Sequence, residues 1–202
     1  ERARALGFTG VLIGNLGHLP LVRGLDFHLY GDYGLNVFNS RSLAYLKDKE
    51  LESACVSFEL RFAQIRDLKK VLRAEAIVYG RLPLMITENC LVQNETGCRL
   101  DRQGPCVPED GPCRCGQPNV LVDRTGAAFP LLPAYGHRTE IQNSKPLYLA
   151  DRPEHRRLGL AYARLRFTTE TAEECVSVVQ NYLDAAPAAG DFTRGLYERG
   201  VE

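Results

Sequence analysis

Residues 54–79 read ACVSFELRFAQIRDLKKVLRAEAIVY. The stretch opens on a short, mostly apolar run, Ala54 to Phe58, which reads as a strand. Glu59 closes that run. Phe62, Ile65, Leu68 and Leu72 then recur at helical spacing and fall on one face. Ala76 to Tyr79 is apolar again and reads as the next strand. Strand, crossover helix and strand in this order make a parallel βα unit.

The alternation extends towards the N-terminus. Gly10 to Gly14 (GVLIG) is a short buried strand, and Asn15 opens a turn into a helical segment from Leu19 to Leu25, with Pro20 tolerated in its first turn. Phe27 to Tyr30 is a second strand, ending in Gly31-Asp32. Asn39-Ser40 caps a helix that buries Leu43 and Leu46. The strand Ala54–Phe58 is then the third and Ala76–Tyr79 the fourth. Further on, Val120 to Val122 and Ala127 to Leu132, joined at Asp123 to Gly126, read as a β-hairpin. Ile141 to Lys145 is expected to return to the main body, and Pro146 to begin a helix through Leu149 and Leu158. Tyr162 to Phe167 (YARLRF) is the last strand. Thr171 with Glu174 forms a capping box for a helix whose stripe is Cys175, Val178, Val179, Tyr182 and Leu183. That spacing makes Cys175 a core residue, as Cys55 is in its strand.

Between the fourth strand and the hairpin lies RLPLMITENCLVQNETGCRLDRQGPCVPEDGPCRC, residues 81–115. Five of the seven cysteines fall here: Cys90, Cys98, Cys106, Cys113 and Cys115. The segment is polar and broken by Gly and Pro, with too little apolar surface to offset its ordering entropy by burial. Clustered soft thiolates suit tetrahedral zinc or an iron–sulfur cluster. The spacing is neither that of a zinc ribbon nor that of a ferredoxin, so the residues alone leave metal and ligands open. His137, in GHRTE, is an alternative ligand or an exposed loop histidine.

Composition narrows the class. With 25 basic and 25 acidic residues the formal net charge is zero, so the chain lacks the basic footprint of a dedicated nucleic-acid binder. No apolar run approaches the roughly 20 residues a membrane span needs. The first residues, ERARALG, read as the last turns of a helix closed by Gly7, so the chain is expected to be a piece of a longer protein. Concentrated cysteines within an α/β pattern favour metal ligation over disulfides and a cytoplasmic location.

Strands ending near Asn15, Asp32, Glu59, Arg81 and Thr168 supply five of the eight needed for a closed barrel. The expected fold is therefore α/β, the C-terminal part of a TIM-type (β/α)8 barrel with an inserted cysteine-rich loop and β-hairpin over residues 86–137. That partial barrel spans residues 1–185, and 186–202 form a linker and tail towards a further domain. An open doubly wound sheet competes, but no Gly-rich phosphate fingerprint follows any strand. Polar residues just past strand ends are the candidate functional ones in a parallel barrel. Asn15, Asp32, Asn36 and Arg81 are candidates for substrate binding, and Glu59, Glu88 and Arg166 for catalysis. Asn15, Asn36 and Thr168 more often cap a turn in such places. Glu59 and Arg166 lie against apolar strands, where an unpaired charge is costly, so either a Glu59–Arg166 or Asp32–Arg81 pair across the barrel mouth or a pocket for an anionic ligand is expected. No nucleophile–base set is visible: His18 and His155 read as helix-surface residues, and His28 lies in a strand.

Several ordered motifs carry a resemblance. YGRLPLMITENC, VLVDRTGAAFP and EIQNSKPLYLAD resemble the collagenase-like peptidase family U32. GVLIGNLGHL, GDYGLNVFNS and the closing DFTRGLYERG look like its longer bacterial members, which carry an additional C-terminal domain. The resemblance implies a barrel-type domain within a longer polypeptide. Its better understood members hold a [4Fe–4S] cluster on four cysteines and hydroxylate RNA bases or a quinone precursor without O2. By that comparison Cys90 and Cys98 match the first two ligands, and Cys113 or Cys115 the third. Where the fourth is expected, after Asn143-Ser144-Lys145, this chain has Tyr148. The second member of the Cys113/Cys115 pair, Cys106 or His137 would complete the set, and zinc is the rival metal. RNA or a small aromatic molecule is the implied substrate, and another family member or the protein's own further domains the implied partner. The family name implies a peptidase instead, and a zinc-stabilised binding module is the third possibility.

Overall fold

A computed structural model of the protein describes residues 2–96 and 117–200. From the N-terminus, a short helix α1 (Arg2–Ala5) precedes β1 (Gly10–Ile13), α2 (Leu19–Val22) and β2 (His28–Gly31). Then come α3 (Ser40–Asp48), β3 (Leu51–Cys55), α4 (Phe62–Asp67) and β4 (Arg73–Gly80). β5 (Pro83–Thr87) and α5 (Leu91–Thr96) follow, and later β6 (Asn119–Val122), β7 (Ala128–Ala134) and β8 (Arg138–Gln142). β9 (Leu147–Tyr148), β10 (Tyr162–Leu165) and α6 (Ala172–Asp184) complete the order.

The fold is α/β. β1, β2, β3, β4 and β10 lie side by side in that order and run parallel, with β9 added antiparallel to β4. Ala54, Cys55, Val56, Ala76, Ile77 and Val78 are buried along the two central strands, as their unbroken apolar runs require. Leu43 and Leu46 of α3 and Ile65 of α4 pack against them. Asn39 caps α3, its side chain accepting from the Arg41 and Ser42 N–H groups at 3.0 Å. Thr171 and Glu174 satisfy each other's backbone N–H groups at the start of α6. Caps of this kind contribute about 1 kcal/mol each.

β5, β8, β7 and β6 form a second, antiparallel sheet in that order. The hairpin β6–β7 is the one the sequence indicates, and Asp123 Oδ1 closes its turn by accepting from the N–H groups of Thr125 and Ala127 at 2.7 and 3.0 Å. β4 reaches this sheet through Gly80, whose φ is +116°. A Cβ there would stand 2.0 Å from the Arg166 carbonyl oxygen, so glycine alone lets the chain leave β4 beside β10.

Four expectations are corrected. Of the stretch Ile141 to Lys145, Ile141 and Gln142 end β8 of the second sheet rather than returning to the main body, since β8 pairs with β7 and with β5, a strand the apolar lead-in PLMIT conceals. No helix starts at Pro146: the Tyr148 N–H is taken by the Thr193 carbonyl and the Leu149 N–H by the Tyr182 hydroxyl, which leaves the short strand β9 and a later 3-10 turn over Pro153–Arg157. His155 in that turn is buried, not on a helix surface. Cys175 is only half-buried, because α6 turns Val178 and Tyr182 into the core while Val179 and Leu183 face out.

The tail docks on the parallel sheet. Thr193 bridges to Leu147, and Arg194 holds Asp151 with two contacts of 2.5 and 2.7 Å. Tyr197 is 1% exposed, stacks on Phe62 at 5.3 Å between ring centroids and donates its hydroxyl to the Ile77 carbonyl at 2.6 Å. α4 is only six residues long, and Tyr197 fills the layer beside it.

Candidate functional site at the strand ends

Arg166, just past β10, lies where the two sheets meet. Its Nη2 donates to Glu140 Oε1 at 2.8 Å, and its Nη1 donates to Gln142 Oε1 at 2.6 Å and to the Arg81 carbonyl at 2.7 Å. The guanidinium also sits 5.5 Å above the centroid of the Tyr33 ring. Arg166 and Glu140 side chains are each 16% exposed, so the pair is largely withdrawn from water. Arg81 turns away from the acids and donates Nη1 to the carbonyls of Asn143 and Ser144. It thereby fastens the chain that leaves β8.

Neither ion pair expected from the sequence forms. Arg166 takes Glu140 instead of Glu59, and Asp32 takes Arg164, which also holds Glu75. β10 and β2 are three strand spacings apart, about 14 Å on a flat sheet. Arg164 therefore reaches Asp32 because the sheet curls towards that face. Burial raises the Glu75 carboxyl above its ordinary range, and the Arg164 guanidinium opposes the rise. Burial pushes the neighbouring Cys55 thiol up to about 12, so it stays protonated at neutral pH and is no nucleophile.

The remaining candidates separate. Asn15 accepts from the Gly17 N–H at 2.8 Å, and Asn36 closes a turn in the left-handed conformation at φ 49°. Both do local capping. Asp32 adds a cap to its ion pair, accepting from the Tyr33 N–H at 2.8 Å. The Glu59 side chain is half-buried after β3, while exposed Glu88 accepts from Arg138 at 2.9 Å. Thr168 Oγ1 is buried without a partner among the described residues.

Of the cysteine ligands, Cys90 is described; Cys98, Cys106, Cys113 and Cys115 lie outside the described residues. Cys90 is 8% exposed and packs with Val92, Leu131 and Ile141. The Leu91 N–H next to it donates to Thr139 Oγ1 at 3.0 Å. Side chains alternate along a strand, so Thr139 and Ile141 face this cluster while Glu140 and Gln142 face Arg166. The second sheet thus separates Cys90 from Arg166. His137 sits in the β7–β8 turn at φ 59°. Tyr148 is 6% exposed, donates its hydroxyl to the Ala186 carbonyl at 2.8 Å, and packs against Tyr79, Tyr182 and Phe192. That phenol is committed and supplies no metal ligand. Among the described residues no group of three or more His, Cys, Asp or Glu stands together to hold a metal ion, and no helix is long and apolar enough to cross a membrane.

Sequence reasoning missed Tyr33, Glu75, Glu140, Gln142 and Arg164. The signal was present in two places. Tyr162–Phe167 spaces its arginines two apart, and Arg138–Gln142 does the same with Glu140 and Gln142, so each pair shares a strand face.

No curated protein and no solved structure matches this chain. The sequence profile described as Peptidase family U32 matches residues 1–121, which take in β1 to β5 and the cysteine-rich segment. On that match, the chain belongs to peptidase family U32.

Proposed function

We propose that this chain is part of a cytoplasmic iron–sulfur enzyme, its parallel strands forming one portion of a (β/α)8 barrel. In this reading Cys90, Cys98, Cys113 and Cys115 hold a [4Fe–4S] cluster, with Cys106 and His137 as alternates. The reaction is the O2-independent hydroxylation that the family resemblance implies, on an RNA base or a small aromatic molecule. The observation that carries the reading is how the cysteine segment is tethered. β5 enters it directly from the C-terminal end of β4, and β8 returns with Glu140 and Gln142 against Arg166. Cys90 thus follows β4 by a single short strand, on the side of the C-terminal strand ends, where α/β sheets bind their ligands. Five cysteines are enough donors without Tyr148. A bound cluster would supply one-electron chemistry. Arg166 and Glu140 hold the two sheets in register, and Tyr33, Asp32 and Glu59 offer hydrogen bonds at the rim.

The test is iron and acid-labile sulfide analysis of the whole protein purified without oxygen. Iron and sulfide in equal amounts, lost in Cys90→Ala, are expected. Stoichiometric zinc without iron would replace this reading with a zinc-stabilised binding module. Absence of both metals, with peptide cleavage abolished by Glu59→Gln or Glu88→Gln, would restore the collagenase-like peptidase that the family description names.

A further inference from the structure

At the opposite end of the parallel sheet from Arg166 lies a cavity of about 430 Å³ that the reading above does not use. Its floor is apolar, made by Leu19 and Val22 of α2 with Phe27 and Leu29 at the start of β2. Its exposed lining is charged and carries both signs: Arg23 follows α2, and Asp48 and Glu50 lie at the end of α3. Two further rim charges are already engaged: Asp26 accepts from Arg4 at 3.0 Å, and the Lys49 ammonium sits 5.2 Å above the Tyr45 ring centroid. Arg23, Asp48 and Glu50 have no side-chain partner among the described residues. Glu50 is also held in the left-handed region, at φ 66°. A long side chain is uncommon there, and glycine would hold the same backbone freely. The volume falls within the range of small-molecule sites.

We propose that this cavity binds a small zwitterion with an apolar side chain, of the size of a free apolar amino acid. The apolar group occupies the floor, Arg23 takes the carboxylate, and Glu50 with Asp48 takes the ammonium, assisted by the negative end of the α3 dipole. Neither charge alone satisfies the rim, so a singly charged analogue leaves one side unpaired.

Isothermal titration of the full chain with L-phenylalanine, phenethylamine and hydrocinnamate tests this. Phenylalanine should bind saturably at one site, and each analogue at least about tenfold more weakly. Arg23→Gln should weaken phenylalanine and hydrocinnamate while leaving phenethylamine unchanged. Glu50→Gly should weaken phenylalanine and phenethylamine while leaving hydrocinnamate unchanged, with a melting temperature no lower than that of the parent. Val22→Trp, which fills the floor, should abolish all binding. No saturable binding of phenylalanine, equal binding of all three ligands, or binding that survives Val22→Trp would each overturn the proposal.

Discussion

The two sheets of this protein are held by different forces. The parallel sheet is buried along its central strands, with Ile77, Val78, Val56 and Ala54 at 1% exposure or less. Its stability comes from apolar burial, which needs no particular partner geometry. The second sheet exposes Met85, Ile86, Val120 and Val122, each above half. It has one small apolar cluster around Cys90, and it is joined to the main body through Arg166 and Arg81. A sheet fixed by a few polar contacts can be detached by one substitution; a sheet fixed by burial cannot.

The largest effect should come from the buried side. Tyr197→Ala removes a ring stacked on Phe62 and leaves the Ile77 carbonyl unpaired. A loss of about 3–5 kcal/mol is expected from denaturant unfolding. A loss below about 1 kcal/mol would mean that the docked tail contributes little to the core. Arg166→Met should come next, at about 3 kcal/mol, because it strands the Glu140 carboxylate where water scarcely reaches. Its signature is local: amide exchange should accelerate in β5, β7 and β8 and stay slow in β3 and β4. Uniform acceleration would erase the distinction between the two sheets.

A smaller effect is set by pH. Burial holds the His155 imidazole below its ordinary value, so it stays neutral in the folded chain while the unfolded chain takes up a proton below about 6.5. Its contribution is complete above that value and falls as pH drops towards the folded value. The melting temperature should therefore decline from about pH 7.5 to about pH 5.5, and less steeply in His155→Phe. An equal slope in the variant would assign the decline to other groups. Smallest is Glu88→Gln at the exposed edge of the second sheet. Its partner Arg138 is also well exposed, so stability should change by less than about 0.5 kcal/mol.

The same contrast explains what could be read from the sequence. The five parallel strands are legible because runs such as Gly10–Ile13 and Ala76–Tyr79 are short, apolar and bounded by turn residues. The third strand, Leu51–Cys55, nevertheless starts three residues ahead of the expected Ala54, because Glu52 and Ser53 break its apolar pattern. The caps at Asn39 and Thr171 are equally local and equally legible. β5 and β8 were not, since each borrows its meaning from a partner some fifty residues away, as in Ile86 opposite Glu140. Which carboxylate meets which arginine depends on how the sheet curls, and no local pattern encodes that. Arg164 reaching Asp32 is the clearest case. His155 read as exposed because its neighbours Arg156 and Arg157 are charged; its own ring is fixed by the Arg152 carbonyl at 2.5 Å.

Thr139 and Glu140 are adjacent, yet one looks towards Cys90 and the other towards Arg166. Loops on either side of that dipeptide can lengthen or shorten at little cost in free energy. A single residue gained or lost within β8 itself would exchange the two outlooks, turning a carboxylate onto the thiol and a hydroxyl onto the guanidinium. Odd-numbered insertions at this strand should therefore be lethal to the arrangement, where a change of even length need not be.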